Sequence, residues 1–284
     1  MVKQEIIIVD EKNLEKVKKK ISKDGSDSFH VLADFDRTLT YGLDADGKIR
    51  TATVISQLRA DPKYLGEDYK KVAEEMFEEY HPLEVDSDHP MDAKKEKMRE
   101  RWQKHFDWIA KNGLTKKIIQ QVVHERSLRF RKGALEFMKE LNDRNIPLVI
   151  MSAAPGDMLI AYLEYQGLMF PNVYVVANRY EFDSMGRALR IKEPIIHTFN
   201  KTEITLNNHP IYEKIKDRKN VLLLGDSLGD EGMIEGFRYK NLIKIGFLNE
   251  EVEKNLEAFR NAYDVVLTGD QDFTYVNRIM GEML

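Results

Sequence analysis

There is no cysteine among the 284 residues of this chain. A disulfide scaffold, a thiolate nucleophile and a cysteine-ligated zinc are therefore excluded. A long apolar run is missing as well. Near the N-terminus only Ile6, Ile7, Ile8 and Val9 stand together before charge resumes, far short of the ~20 residues that a membrane span needs. Neither a signal peptide nor a membrane segment is expected, and the expected location is the cytoplasm. The chain has no strong charge of one sign: Lys+Arg number 44 against Asp+Glu 48, a net −4. Bulk charge thus points to neither a nucleic-acid nor a membrane partner, and a small anion would have to be held by local positive charge. The seven histidines show no metal-ligand spacing, and there is no internal repeat or low-complexity tract.

What is present suits a soluble globular protein, with 42% hydrophobic and 32% charged residues. The length allows one large domain, or a core with a smaller insert. Residues Asp10 to Lys23 read as a surface helix with Leu14, Val17 and Ile21 on one face. His30 to Ala33 reads as a buried strand entering an acidic turn, and residues 41–48 are rich in turn formers. From Thr51 to Ser127 the pattern is helical and polar, clearest over Glu67–Tyr80 and Ala93–Lys111. Strands then alternate with helices. Ile146–Met151, Val173–Val176, Val221–Leu224, Leu242–Phe247 and Asp264–Leu267 read as strands, with helices over Gly133–Asn142 and Asp157–Gln166. Asp183-Ser184-Met185-Gly186 reads as a hairpin turn. This alternation predicts an α/β fold with a parallel sheet covered on both faces. Residues 1–44 and 129–284 would form the core, and 45–128 an inserted helical cap.

In such sheets ligands sit beyond the carboxyl ends of the strands. Those ends carry Asp34 and Asp36, then Ser152, then Asp226 and Asp230, with Lys201 between the last two groups. Each alone has a bland reading: a capped turn for Asp34-Phe35-Asp36, an N-cap for Ser152, a solvated charge for Lys201, the acidic start of a helix for Asp230. Together they make a reaction site. A carboxylate at the end of a buried strand is costly unless a cation or hydrogen bonds compensate it. Mg²⁺ takes oxygen ligands and keeps waters, so Asp34 and Asp226 with the Asp36 carbonyl would suffice. Asp34 would then attack phosphorus to give an aspartyl-phosphate. Asp36, two residues on, would protonate the leaving alkoxide and then activate water. Lys201 would neutralise the transferring group. The Ser152 hydroxyl and the following N–H groups, including that of Ala153, would cradle phosphate.

The ordered set Asp34-Phe35-Asp36-x-Thr38-Leu39-Thr40, Met151-Ser152-Ala153, Lys201 and Gly225-Asp226-Ser227-x-Gly229-Asp230 resembles the haloacid dehalogenase (HAD) superfamily of phosphotransferases. All four of its motifs occur in order. The resemblance implies a Rossmann-like core, with a helical (C1-type) cap between the first and second motifs. From Ser28 to the C-terminus the chain is further similar to the type III cytosolic pyrimidine 5'-nucleotidases. The segments Ile150–Asp157, Glu181–Gly186, Ile195–Lys201, Val221–Asp230 and Ile243–Asn249 carry that likeness.

That resemblance implies Mg²⁺ and hydrolysis of nucleoside monophosphates. It maps the nucleophile to Asp34, the acid/base to Asp36, the metal to Asp34, Asp36 and Asp226, and phosphate contacts to Ser152 and Lys201. Asp230 would support them from behind. In the cap, Leu83-Glu84-Val85-Asp86 looks like the segment whose glutamate holds the base, which makes Glu84 the candidate reader of an exocyclic amine. Trp102 and His105 fall near the family's other base contacts, although the aromatic there is usually tyrosine. Surface charge for Glu84 and core packing for Trp102 remain equal alternatives. A monomer is expected. A phosphatase of phosphoserine-like metabolites, or a nucleoside phosphotransferase, would leave the core unchanged. Cap motion would hinge at residues 41–48 and around Phe130 to Gly133.

Overall fold

In a computed structural model the protein is described over residues 3–85, 90–201, 210–235 and 238–284, with the backbone alone at His81, Glu84 and Val85. A seven-stranded sheet has the spatial order β1-β9-β8-β7-β2-β3-β4. Its strands are β1 (Ile6–Ile8), β2 (Phe29–Ala33), β3 (Leu148–Pro155), β4 (Val173–Asn178), β7 (Asn220–Gly225), β8 (Asn241–Leu248) and β9 (Val265–Thr268). All pairings in it are parallel except β1 with β9.

The central strands are mostly apolar because both faces are covered. Successive residues alternate between two cores: Val31, Ala33, Ile150, Leu222 and Leu224 pack on one side, and Leu32, Val149, Met151, Val221 and Leu223 on the other. Helix α1 (Glu11–Asp24) begins on an Asp10 cap that accepts from the Asn13 N–H. It buries Leu14 and Ile21 and lies beside the C-terminal helix α10 (Thr274–Met283). Helices α6 (Ala134–Asp143) and α7 (Gly156–Tyr165) flank β3 in sequence, while α8 (Tyr212–Ile215) precedes β7 and α9 (Val252–Ala262) follows β8.

Between β2 and α6 the chain is helical: a 3₁₀ turn at Ile55–Arg59, then α2 (Pro62–Leu65), α3 (Glu67–Val85), α4 (Met91–Lys111) and α5 (Lys116–Glu125). Among the described residues this region holds no strand, as its polar helical pattern predicts. Two packed pairs are prominent among its contacts with the rest of the chain. Helix α5 packs on α7, and α4 packs on the hairpin of β5 (Tyr180–Phe182) and β6 (Ala188–Ile191). The Tyr180 hydroxyl donates to the Phe106 carbonyl, and main-chain bonds join Lys116 to Gly186 and Ala188 to Leu114.

Two elements differ from the sequence expectation. Ile6–Ile8, too short to read as a strand by itself, pairs with Val265–Leu267 and becomes the antiparallel edge. The strand expected to stop at Met151 runs to Pro155, with an irregularity between Ser152 and Pro155. Pairing with Ala177 and Asn178 of β4 carries it past its apolar stretch.

Candidate active site

The parallel register brings the acidic strand ends together. Ala33 lies opposite Ile150 on one side and Leu224 on the other. Asp34 is one residue beyond that level, while Ser152 and Asp226 are two beyond. Asp34 is buried at the end of β2, and its N–H donates to the Leu224 carbonyl. Lys201, also buried, donates to Asp34 and to Asp230 Oδ1, the latter at 2.8 Å. The other Asp230 oxygen accepts the N–H groups of Asp226 (3.1 Å) and Ser227 (3.0 Å) and the Ser227 hydroxyl (2.9 Å). Both oxygens of Asp230 are thus occupied, and it fixes the loop that carries Asp226. The loop can lie so close to β7 because residue 225 is glycine: a Cβ there would sit 2.5 Å from Asp230 Cβ.

Carboxylate oxygens of Asp34, Asp226 and Asp230 lie within 4.8 Å of one another. Three carboxylates facing one ammonium are short of positive charge. Burial pushes the Asp34 carboxyl well up from its ordinary range, against the pull of Lys201 and helped by Asp230 and Asp226. Burial and then Asp230 raise Asp226 to about 7. Lys201 feels the reverse: burial would lower it, but Asp230 and Asp34 together outweigh that and hold its proton firmly. A divalent cation among oxygen ligands fits this excess of negative charge.

Asp36 points elsewhere. Its Oδ1 accepts the Val54 N–H at 2.9 Å, at the entry to the helical region. Its carboxylate is therefore not in the cluster, which leaves its main-chain carbonyl as the group it can offer a cation. Burial raises Asp36 to about 6, tempered by the Val54 N–H, Arg37 and Lys201. A carboxyl poised near neutrality suits proton transfer in both directions.

Residues 38–284 match the family described as pyrimidine 5'-nucleotidase (UMPH-1). The chain belongs to the pyrimidine 5'-nucleotidase family. It is accordingly a phosphoric monoester hydrolase of HAD-like fold. The chain is 35% identical over 262 residues to 7-methylguanosine phosphate-specific 5'-nucleotidase A of Xenopus laevis, covering 92% of this chain and 89% of the relative. It is 32% identical over 266 residues to the 7-methylguanosine phosphate-specific 5'-nucleotidase of Gallus gallus, covering 93% and 91%. The crystal structure of cytosolic 5'-nucleotidase IIIB bound to cytidine superposes with a TM-score of 0.85 at 26% identity, covering 98% of this chain and 92% of that one. A phosphoserine phosphohydrolase-like protein from Francisella tularensis shares the fold, with a TM-score of 0.54 at 16% identity. The family match begins at Thr38, so Asp34 and Asp36 stand on the geometry of this chain.

The loop after β3 and the segment leading to Lys201 are tied by a residue that the motif reading passed over. Asn178, buried at the end of β4, donates to the carbonyls of Ala153 and Ile196 and accepts the Ile196 N–H, each at 2.8 Å. It joins the Ser152 loop to the segment leading to Lys201. Its position just past the apolar run Val173–Ala177 was the available signal. Ser152 is buried, and its hydroxyl accepts the Ala154 N–H at 3.1 Å. Tyr263 was missed as well, because nothing near it in sequence is catalytic. Its hydroxyl donates to the Ser227 carbonyl beneath the Asp226 loop.

Of the residues expected to read the base, Trp102 and His105 come together on α4. Their rings stack at 6.2 Å and 21°, and His105 Nε2 lies 3.2 Å from the Tyr69 hydroxyl. Burial, and then Arg101 and Arg59, depress His105 to about 3, so its ring is neutral. The half-buried Trp102 keeps a buried indole N–H with no acceptor among the described residues. Glu84 lies in the last turn of α3, and its side chain falls outside the described residues. No helix among the described residues is long and apolar enough to cross a membrane.

Proposed function

We propose that the protein hydrolyses nucleoside 5'-monophosphates to nucleoside and phosphate through an aspartyl-phosphate on Asp34. The buried contact of Asp34 with Lys201, backed by Asp230 and facing Asp226, carries this reading. A nucleophile fixed by an ammonium, beside oxygens that lack a balancing charge, is what in-line attack on a phosphate dianion requires. Asp34 Oδ forms a bond to phosphorus as the bond from phosphorus to the 5'-oxygen breaks, and Asp36 gives its proton to that oxygen. The Asp36 carboxylate then takes a proton from water as the water oxygen attacks phosphorus, which frees phosphate and restores Asp34.

Ser152, Ala153 and Lys201 hold the phosphoryl oxygens. Asp34 and Asp226, with the Asp36 carbonyl, would hold Mg²⁺, which supplies charge neutralisation to the transferring group. The helical region 45–128 acts as the cap, with Glu84, Trp102 and His105 at the base. The protein acts as a monomer in the cytoplasm.

Two bases compete. The family description and the cytidine-bound relative favour a pyrimidine. The curated relatives are named for 7-methylguanosine phosphate, and Trp102 favours that base, because a methylated cationic purine is held well over an indole face. Phosphate release from CMP, UMP, AMP, GMP, 7-methyl-GMP and phosphoserine distinguishes them. The expected order has CMP or 7-methyl-GMP far ahead of phosphoserine; equal or faster turnover of phosphoserine overturns the nucleotidase reading.

A further inference from the structure

Arg131 is fully buried, and a buried guanidinium is expensive unless it is completely satisfied. Here it is. Four hydrogen bonds and one ion pair surround its three nitrogens. Nε donates to the Thr38 carbonyl at 2.9 Å. One terminal nitrogen donates to the Gln271 carbonyl and is ion-paired with Asp270 Oδ1 at 2.9 Å. The other donates to the Arg37 carbonyl at 2.6 Å and to Asn249 Oδ1 at 2.7 Å. Its Cζ lies 4.3 Å from the centre of the Phe247 ring and 5.3 Å from that of Tyr41. The fork is therefore filled on every edge and on one face, a geometry that lysine cannot reproduce.

What the fork holds is the segment next to Asp36. Arg37 has φ 65°, the left-handed region that a residue with a Cβ enters only at a steric cost. Its carbonyl is held twice, by Arg131 and by Asn249 Nδ2 at 3.1 Å. Asp270 extends the same grip: its two oxygens accept the N–H groups of Gly42 (2.8 Å) and Leu43 (2.9 Å). The main chain of Arg131 donates to the Leu39 carbonyl, and Tyr41 donates to that of Arg129. The segment leaving the core and the one returning to it are thus paired with each other and bolted to one buried cation. There is no slack, since a Cβ on Gly42 would meet the Asn249 side chain at 3.1 Å.

We propose that Arg131, with Asp270 and Asn249, is the positioning group of the reaction: it imposes the left-handed turn at Arg37 and so sets where Asp36 stands. None of the three touches the reacting atoms in this account. They act through Asp36, so the inference rests on the reading of Asp36 as the acid and base.

The test is a double-mutant cycle on the full-length protein. Asn249→Ala removes one of the two holds on the Arg37 carbonyl and leaves the Arg131–Asp270 pair in place. It is expected to lower kcat on CMP or 7-methyl-GMP at least tenfold with KM unchanged. Arg131→Lys is expected to lose more, on the order of 10²-fold, the scale for a misplaced catalytic group. In an Asp36→Asn background, Asn249→Ala should cost far less than it does in the wild type, because the carboxyl it positions is already gone and only the main-chain carbonyl remains. A merely structural role would instead lower both backgrounds by the same factor. That additive result, or a wild-type kcat for Asn249→Ala, overturns the proposal. If Asp36→Asn alone turns over at the wild-type rate, the reading of Asp36 fails, and that outcome is distinct. Should Arg131→Lys not fold, the Asn249→Ala cycle decides by itself.

Discussion

The strand ends and the helical region that follows β2 solve opposite problems. At the strand ends charges are buried, few, and held by main-chain and side-chain bonds from several elements. Asp34, Asp230 and Lys201 all lie below one-tenth exposure. In the helical region charges are many and exposed, and they pair along their own helices, as Glu100 does with Lys97 and Lys104 on α4. Chemistry on phosphorus needs groups fixed to a fraction of an ångström, and burial among satisfied bonds supplies that. Recognition of a variable base, the role proposed for the helical region, needs only adaptable side chains, which a solvated helix pair carries cheaply. The contrast explains why one part reads as a motif and the other does not.

The comparison breaks first at Asp34. Asp34→Asn is expected to cut kcat by roughly 10⁴-fold or more, the scale for losing a nucleophile. It should not lower the melting temperature, because it removes one of three crowded carboxylates. A variant that turns over normally refutes the mechanism.

The helical region should show the reverse. Trp102→Ala is expected to change the ratio of 7-methyl-GMP to CMP turnover by about tenfold, the worth of a desolvated cation–π contact. Turnover of p-nitrophenyl phosphate should stay the same. An unchanged ratio removes Trp102 from base selection.

Acid titration sharpens the comparison, because each region buries a histidine held neutral. Burial depresses His30 on β2 and His105 on α4 to about 3. His30 Nδ1 lies 2.9 Å from the Arg218 carbonyl, to which the neutral ring donates. Both folded values lie below the ordinary 6.5, so the unfolded chain takes the proton first. Their stabilising effect is complete above pH ~6.5 and is lost as pH falls towards 3, at about 1.4 kcal/mol per pH unit for each ring. His30→Asn and His105→Asn should each flatten the fall of the urea midpoint over that window relative to wild type. A variant with the wild-type slope would mean that its histidine protonates in place.

The smallest effect belongs to the surface. Glu100→Ala breaks the exposed pairs with Lys97 and Lys104 and should leave the melting temperature where it is. A clear drop would show that the helical region depends on its charges as the strand ends do.

Much of this was legible in the chain because it is local. Apolar runs such as Val221–Leu224 can only be strands covered on both faces, and the polar residue after each run must lie at the sheet's carboxyl edge. Asp34, Ser152 and Asp226 are found that way, and their order names the superfamily. Arg131, Asp270, Asn178 and Tyr263 carry no motif of their own, and Asn249 closes a family-like segment without any sign of what it holds. Their partners lie far off in sequence, 139 residues apart for Arg131 and Asp270, numbers no pattern connects. The sequence by itself determined which side chains stand at the carboxyl ends of the strands, since residue type and spacing are local properties. Only the tertiary structure decided how those groups are held: that Asp230 spends both oxygens on anchoring, that Asp36 turns towards Val54, and that one buried arginine fixes the turn between them. Hydrogen bonds to main-chain carbonyls are available to any residue type, so no one-dimensional pattern records which side chain will make them.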